Sequence, residues 1–365
     1  MERTIKTKIE SKDLEDTLDQ YFQAYKFCVN KGFELHTSNK KKLHNATYKQ
    51  LRKDYPKLPS ALLQTIRDVA CENLWAVKLK NKPTPKNKFI RYDGRTFSFK
   101  NGKVSISTIN GRQKFDVKLP KFAEKYKDWD CKAGTVVSKR GQLWLNLIFN
   151  KEVAFKEPKT FLGIDRGINN IAVCSDNSFY NSKQLKRIKG KYQYLKTRLQ
   201  SKGTPSAKRH LKKLSGKEKR FVKDVNHRLS KEIAAKPYDC FVLEDLKKLP
   251  RNKGRKFNKL LGGWSYFQLG NFIQYKAEEL GKTTIKVNPK YTSQTCSNCG
   301  FVEKNNRNGN KFKCKECGFE LNADLNASRN IVNLGKAEIN RLQVIQPIVT
   351  TSELVTSPHA LAVGR

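Results

Sequence analysis

Two pairs of cysteines constrain the fold of this chain more than any other feature. Cys296-Ser297-Asn298-Cys299 is followed, after a fourteen-residue spacer, by Cys314-Lys315-Glu316-Cys317. Two CxxC pairs at this separation form a four-thiolate zinc site, the spacer being slightly shorter than the usual run of about 15–20 residues. Gly300 and Gly318 directly follow the pairs and permit the tight turns that point backbone N–H groups at the sulfurs. With four thiolate ligands the coordination sphere is closed, so zinc is expected to fold a small ribbon rather than to catalyse. The other cysteines (Cys28, Cys71, Cys131, Cys174 and Cys240) stand singly beside apolar neighbours. An odd total, behind a start (Met1 to Lys8) without the apolar run of a signal peptide, argues against a disulfide framework. Those five read as small buried hydrophobes.

Charge bounds the partners. The 365 residues include 75 Lys and Arg against 33 Asp and Glu, a net charge of +42. An excess of this size is costly in self-repulsion and points to a polyanionic partner. Nucleic acid fits better than membrane, because no apolar run approaches the roughly 18–20 residues of a spanning helix. With 37% hydrophobic residues, a chain of this length is expected to form two or three domains with their own cores.

Three patterns succeed one another along the chain. Residues 3–9 read as a strand, and Ser11 as the N-cap of a helix carrying Leu14, Leu18, Tyr21, Phe22 and Tyr25 at helical spacing. A second helix is expected from Pro59, a good first-turn residue, to Trp75; the Lys-rich stretch 39–57 between them reads as a loop or a frayed helix. Asp93-Gly94, Asn101-Gly102 and Asn110-Gly111 then punctuate alternating runs, the pattern of β-hairpins, and strands follow at 134–139 and 142–149. Residues 1–10 with 86–150 therefore read as one antiparallel β module into which the helices are inserted. From Thr160 three short strands, long basic helices across 183–236, a strand at 240–244, an aromatic helix at 264–280 and a strand at 284–288 suggest a mixed sheet of the RNase H type. The segment from about Lys336 is low in charge and periodicity and reads as a tail.

Three acids sit where acids are unusual. Asp165 ends the apolar run Phe161-Leu162-Gly163-Ile164, Glu244 ends Cys240-Phe241-Val242-Leu243, and Asp324 opens an expected helix over 324–333. Buried strands rarely end in a carboxylate unless it caps, pairs or binds a cation. Three such acids can hold two Mg²⁺ or Mn²⁺ ions about 4 Å apart, an arrangement that hydrolyses phosphodiesters. Singly, each has a plainer reading. Asp165 fits a turn before Gly167, Asp324 fits a helix N-terminal acid, and Asp245 competes with Glu244, whose position at the strand end favours it. Together with the cysteine site and the net charge, the three acids point to a metal-dependent enzyme acting on nucleic acid.

From Lys183 to Arg228 there are 17 Lys or Arg and two acids, with Tyr192, Tyr194 and Phe221 interleaved. Such a run is usually a solvated face, but in this chain contact with phosphate backbones is the better reading. Lys304, Arg307, Lys311 and Lys313 in the ribbon fit either a DNA contact or a solvated face. Trp264, Tyr266 and Phe267 are read as core at helical spacing rather than as stacking platforms. The five histidines are dispersed, without paired metal-ligand spacing.

Taken in order, Gly163-Ile164-Asp165-Arg166-Gly167, Val242-Leu243-Glu244-Asp245-Leu246, Trp264-Ser265-Tyr266, Pro289-Lys290-Tyr291-Thr292-Ser293-Gln294-Thr295-Cys296 and Asn322-Ala323-Asp324-Leu325-Asn326-Ala327 resemble the TnpB family. Its members are transposon-encoded, RNA-guided DNA nucleases related to the compact type V CRISPR effectors. The resemblance covers residues 160–333 in order and spacing, and the N-terminal half in architecture only. It implies an α+β multidomain chain, with a wedge-like β module (1–10 and 86–157) carrying a helical recognition insert (11–85). A RuvC-like RNase H domain (158–290 and 320–335), a zinc ribbon (291–319) and a disordered tail (336–365) complete the expected organisation. It also implies Asp165, Glu244 and Asp324 as a Mg²⁺- or Mn²⁺-binding triad, a structural zinc on Cys296, Cys299, Cys314 and Cys317, and no membrane partner. The implied partners are a guide RNA from the transposon end and target double-stranded DNA, in a prokaryotic cytoplasm at the nucleoid. In such systems base pairing reads the sequence and protein reads a short adjacent motif. A nuclease-inactive RNA-guided repressor and a compact CRISPR effector are the alternatives; the three acids are intact, which disfavours the repressor. Asn322 departs from the Asp that many family members carry there.

Overall fold

A computed structural model describes residues 1–155, 157–246 and 266–345. The chain divides into two units, Met1–Glu152 and Val153–Arg365. Among the described residues, no helix is long and apolar enough to cross a membrane.

The first unit opens with strand β1 (Glu2–Ile9) and three helices, α1 (Lys12–Glu34), α2 (Lys40–Asp54) and α3 (Ser60–Ala76). Ser11 caps α1, its side chain accepting from the Leu14 N–H, as a side-chain oxygen just before an amphipathic run should. The stretch around 39–57 is a helix rather than a loop. Asn39 Oδ1 accepts the N–H groups of Lys41 and Lys42, and Leu43, Thr47 and Leu51 turn one buried stripe inward. Strands β2 (Phe89–Tyr92), β3 (Phe97–Lys100), β4 (Lys103–Thr108), β5 (Gly111–Asp116), β6 (Asp130–Lys139) and β7 (Gln142–Asn150) follow. They form two antiparallel sheets, ordered β1-β7-β6-β2 and β3-β4-β5. Asn101-Gly102 and Asn110-Gly111 are hairpin turns, the first with both residues at positive φ (50° and 75°). Asp93-Gly94 is not a hairpin. It lies where the chain leaves one sheet for the other, β2 pairing with β6 and β3 with β4.

The second unit is built on strands β8 (Phe161–Asp165), β9 (Asn170–Cys174), β10 (Phe179–Asn181), β11 (Cys240–Glu244) and β12 (Thr283–Val287), ordered β10-β9-β8-β11-β12. The first three form an antiparallel meander, and β11 runs parallel to both β8 and β12. Between β10 and β11 lie α4 (Lys183–Lys202), α5 (Pro205–Leu214) and α6 (Lys217–Ala235); α7 (Tyr266–Glu279) precedes β12. Short strands β13 (Arg307–Asn308), β14 (Lys311–Lys313) and β15 (Glu320–Asn322) form a separate sheet in the cysteine region, and α8 (Ala323–Ile345) ends the described chain. The mixed α/β architecture with separate sheets agrees with the RNase H-like reading. Helix α8 runs past Lys336, where the tail was expected to begin. Residues 346–365 lie outside the described residues, as do Trp264 and Ser265 of the aromatic motif. Phe267 corrects the core assignment: it is exposed on α7, whose buried face is Leu269, Ile273 and Ala277.

Side-chain alternation along β11 divides the core. Phe241 and Leu243 pack with Leu162 and Ile164, Val222, Val225 and Ile233 of α6, and Leu269 and Ile273 of α7. Cys240 and Val242 face the other way, with Val287 and Ile331 of α8. Period-two alternation therefore puts Glu244 on the side of α8, and Asp165 on the side of Gly163. Helix α8 comes unusually close there. A Cβ at Gly163 would collide with the Ser328 carbonyl oxygen and lie 2.9 Å from Val332 Cγ2, and a Cβ at Gly335 would lie 2.5 Å from Val242 Cγ2.

Gly163→Ala is therefore expected to destabilise the protein by about 1–3 kcal/mol through overpacking, read by chemical denaturation. Gly190→Ala on α4, where a Cβ meets nothing within 4 Å, should instead be neutral or stabilising by about 0.5–1 kcal/mol.

Candidate active site and metal centre

The three acids predicted from the sequence come from three elements that meet at one end of the sheet. Asp165 and Glu244 end the adjacent parallel strands β8 and β11, whose register pairs Ile164 with Leu243 just before them. Asp324 lies in the first turn of α8, one helical turn before the Ser328 that sits over Gly163. Asn322 caps that helix, its Oδ1 accepting the N–H groups of Asp324 (3.0 Å) and Leu325 (3.2 Å). An Asn side chain caps as well as an Asp, which accounts physically for this departure from the family pattern.

Each acid has a distinct set of partners. Glu244 is 8% exposed and accepts a 2.6 Å hydrogen bond on Oε1 from the Thr292 hydroxyl. Asp324 is 7% exposed; Arg307 Nη2 donates to its Oδ1 (2.9 Å) and Asn170 Nδ2 to its Oδ2 (3.0 Å). Asp165 has no hydrogen-bond donor among the described residues. Arg166 turns away beneath the site, its guanidinium donating to the Glu244 main-chain oxygen and lying against Gly270 of α7, where any Cβ would collide with it.

Burial, followed by the nearby charges of Glu244 and Asp324, pushes the Asp165 carboxyl up to about 8, against the opposing pull of Arg307 and Arg166. Burial also raises Glu244, opposed by the Thr292 hydrogen bond and by Arg166 and Arg307. Buried carboxyls that repel one another offer the oxygen ligands that hard divalent cations prefer. The donor chemistry therefore fits Mg²⁺ or Mn²⁺.

The four cysteines form the second centre. Their Sγ atoms all lie within 4.8 Å of one another, with Cys296–Cys317 at 3.7 Å and Cys299–Cys314 at 3.6 Å. A tetrahedron with metal–sulfur bonds of about 2.3 Å has edges of about 3.8 Å, so the cluster is consistent with a structural metal site. The Phe319 backbone N–H, with Cys299 and Cys314, holds the Cys317 thiol down at about 6, while the hydrogen bonds among the thiols push Cys299 the other way, up to about 12. The five other cysteines are all buried, as expected, and burial pushes Cys28, Cys131, Cys174 and Cys240 up to about 12. No other group of His, Cys, Asp or Glu ligand atoms as tight as the four thiols occurs among the described residues.

Thr292, Arg307, Asn170 and Arg166 were not singled out by sequence as partners of the acids. Arg307 read only as one basic residue of the ribbon. Asn170 carried a faint signal, since it opens the strand that returns beside Asp165.

Residues 266–331 match the family profile described as "Cas12f1-like, TNB domain", and residues 149–249 match the OrfB_IS605 profile, described as "probable transposase". Over these segments the chain is similar to the TnpB/Cas12f family. It is 44% identical over 126 residues to a CRISPR-associated endodeoxyribonuclease Cas12f1 of Sulfoacidibacillus thermotolerans, covering 33% of this chain and 29% of that protein. A Cas12f1 from an uncultured archaeon is 31% identical over 235 residues, covering 56% of this chain and 44% of the relative. The chain thus spans less than half the length of these two relatives. A TnpB-like protein of Methanocaldococcus jannaschii is 29% identical over 64% of this chain and 91% of its own length. Among solved structures, the protein of a Cas12f1-sgRNA-target DNA complex aligns with a TM-score of 0.63 at 20% identity, over 88% of this chain and 82% of that one. That likeness establishes the fold.

The raised Asp165 pKa carries a stability cost with a definite sign. A carboxyl that titrates near 8 in the folded state and near 4 in the unfolded chain favours folding at low pH, and that contribution is lost as pH rises through about 8. Asp165→Asn should therefore raise the melting temperature of the metal-free protein at about pH 8, by roughly 2–4 °C for each kcal/mol of repulsion removed. The difference should shrink towards about pH 5, and differential scanning calorimetry across that range is the check.

Proposed function

We propose that this chain is an RNA-guided, metal-dependent DNA endonuclease that hydrolyses phosphodiester bonds at Asp165, Glu244 and Asp324. The reading rests on one observation above the rest: three carboxylates from distant segments meet at the ends of two parallel strands and beneath one helix, on an RNase H-like sheet. Similarity adds to it, since the two matching family profiles span the segments that carry the acids and relatives named as endodeoxyribonucleases resemble parts of the chain.

In this proposal Asp165, Glu244 and Asp324 hold the catalytic ions. Bound there, a pair of Mg²⁺ or Mn²⁺ ions supplies activation of water and stabilisation of the leaving oxygen. The chain's own residues prepare the site: Thr292 fixes the rotation of the Glu244 carboxylate, while Asn170 and Arg307 fix that of Asp324. Zinc is the metal proposed for the four thiolates, holding the segment that carries Thr292 and Arg307. The basic helices supply the phosphate-binding surface. Leu185 is the one buried residue of α4, whose 20 residues include seven Lys or Arg between Lys183 and Arg198. This proportion suits a helix that tracks a polyanion without joining the core. A guide RNA and double-stranded DNA are the proposed partners, with base pairing supplying sequence specificity.

Asp165→Ala, Glu244→Ala and Asp324→Ala should each abolish cleavage of double-stranded DNA, in an assay with RNA co-purified from the native locus, and leave RNA binding unchanged. Near-normal cutting by any one would remove that residue from the site. Cys296→Ser, which deletes a buried ligand, should release zinc and lower the melting temperature; unchanged zinc content by elemental analysis would exclude the ligand role.

A further inference from the structure

The cysteine region and the acids are joined by more than proximity. Thr292 precedes the first knuckle by four residues and is buried, its hydroxyl donating to Glu244 Oε1 at 2.6 Å. Its main-chain oxygen accepts from Asn330 Nδ2 at 2.9 Å, and the same nitrogen donates to the Thr295 oxygen at 2.7 Å. Asn326, one turn earlier on α8, donates to the Thr295 oxygen at 2.7 Å and accepts the Ser297 N–H at 2.9 Å. Ser297 follows the ligand Cys296. A continuous chain of hydrogen bonds therefore runs from the knuckle backbone, through two buried asparagines, to a carboxylate of the active site.

The composition of this path is unusual for mere packing. Asn326 and Asn330 are buried amides inside a helix, where Asn is a poor helix former and costly to desolvate. Each spends its side chain on the main chain of the segment entering the knuckle, which fixes where Thr292 stands. The terminal contact, hydroxyl to carboxylate, is of the charge-assisted kind that is stronger than a neutral hydrogen bond. Outer partners of this kind orient metal ligands, and their loss typically lowers metal affinity by about 10–100-fold.

We propose that Thr292 is a positioning residue for Glu244, held by Asn330 and Asn326 against the cysteine knuckle, so that metal loading of the knuckle tunes the affinity of the carboxylate centre for its divalent ions. This inference rests on the carboxylates binding such ions, as argued above. Filling one metal site prepares the other through the main chain of residues 292–297, although no ligand is shared between them.

The test uses the full chain, zinc-loaded, with Mn²⁺ binding followed by electron paramagnetic resonance and zinc content by elemental analysis. Thr292→Val keeps the shape and removes the donor. It should retain zinc and the wild-type melting temperature within a few degrees, while weakening Mn²⁺ binding about tenfold or more. Thr292→Ser, which keeps the hydroxyl, should restore affinity to within a few-fold of wild type. Asn330→Ala should weaken Mn²⁺ binding with zinc still bound. In a Cys317→Ser background, which lacks a knuckle ligand, Thr292→Val should have no further effect, the non-additivity expected of residues on one path. Wild-type Mn²⁺ affinity in zinc-loaded Thr292→Val would overturn the positioning role, as would full additivity with Cys317→Ser. Loss of zinc from Thr292→Val would assign the residue to ribbon folding instead. If the wild-type chain itself binds no Mn²⁺ that Asp165→Ala removes, the carboxylate centre fails first and this inference with it.

Discussion

The close approach of α8 to β8 and β11 is the constraint on which the second unit depends. Two glycines make it possible from opposite sides: Gly163 in the strand, beneath Ser328 and Val332, and Gly335 in the helix, above Val242. Removing both side chains lets the backbones come near enough for Asp324, one turn before Ser328, to reach the strand ends that carry Asp165 and Glu244. The same seam buries Ile331 against Cys240, Val242 and Val287, so apolar burial holds a helix whose polar end carries Asp324. A larger residue at either glycine would separate the three acids as well as loosen the core.

That geometry concentrates negative charge in a chain whose net charge is +42. Burial and mutual repulsion drive the Asp165 carboxyl up to about 8, so the metal-free site disfavours the fully ionised state that a cation would use. Donors are distributed unevenly to contain this. Glu244 has Thr292, Asp324 has both Asn170 and Arg307, and Asp165 has none among the described residues. The cysteine region supplies Thr292 and Arg307, which ties it to the three acids rather than leaving it an appendage. Much of the excess positive charge sits on helices such as α4, which buries only Leu185.

How legible each feature was in the sequence follows from how local its cause is. The cysteine knuckles, the Ser11 cap, the Asn101-Gly102 turn and the apolar strands that end in acids depend on neighbours within a few residues, and were readable. Helix α2 reads only as a loop or a frayed helix, because its buried stripe of Leu43, Thr47 and Leu51 is thin among lysines. Asp93-Gly94 has hairpin chemistry but joins two sheets, since the alternatives differ only in which distant strands pair. Phe267 lies on the exposed side of α7, a matter of which helix face the sheet covers.

The sequence by itself determined the chemistry available: four thiols at metal spacing, three acids at element ends, an RNase H-like succession of strands and helices, and a large positive charge. Only the tertiary structure decided which groups meet. Thr292 and Arg307 become partners of Glu244 and Asp324 because the ribbon folds back onto the sheet, and Asn326 and Asn330 grip the knuckle because α8 passes beside it. Local patterns encode residue type and periodicity, which a short window contains. Contacts between segments far apart in the chain are set by the packing of whole elements, and no local window holds that information.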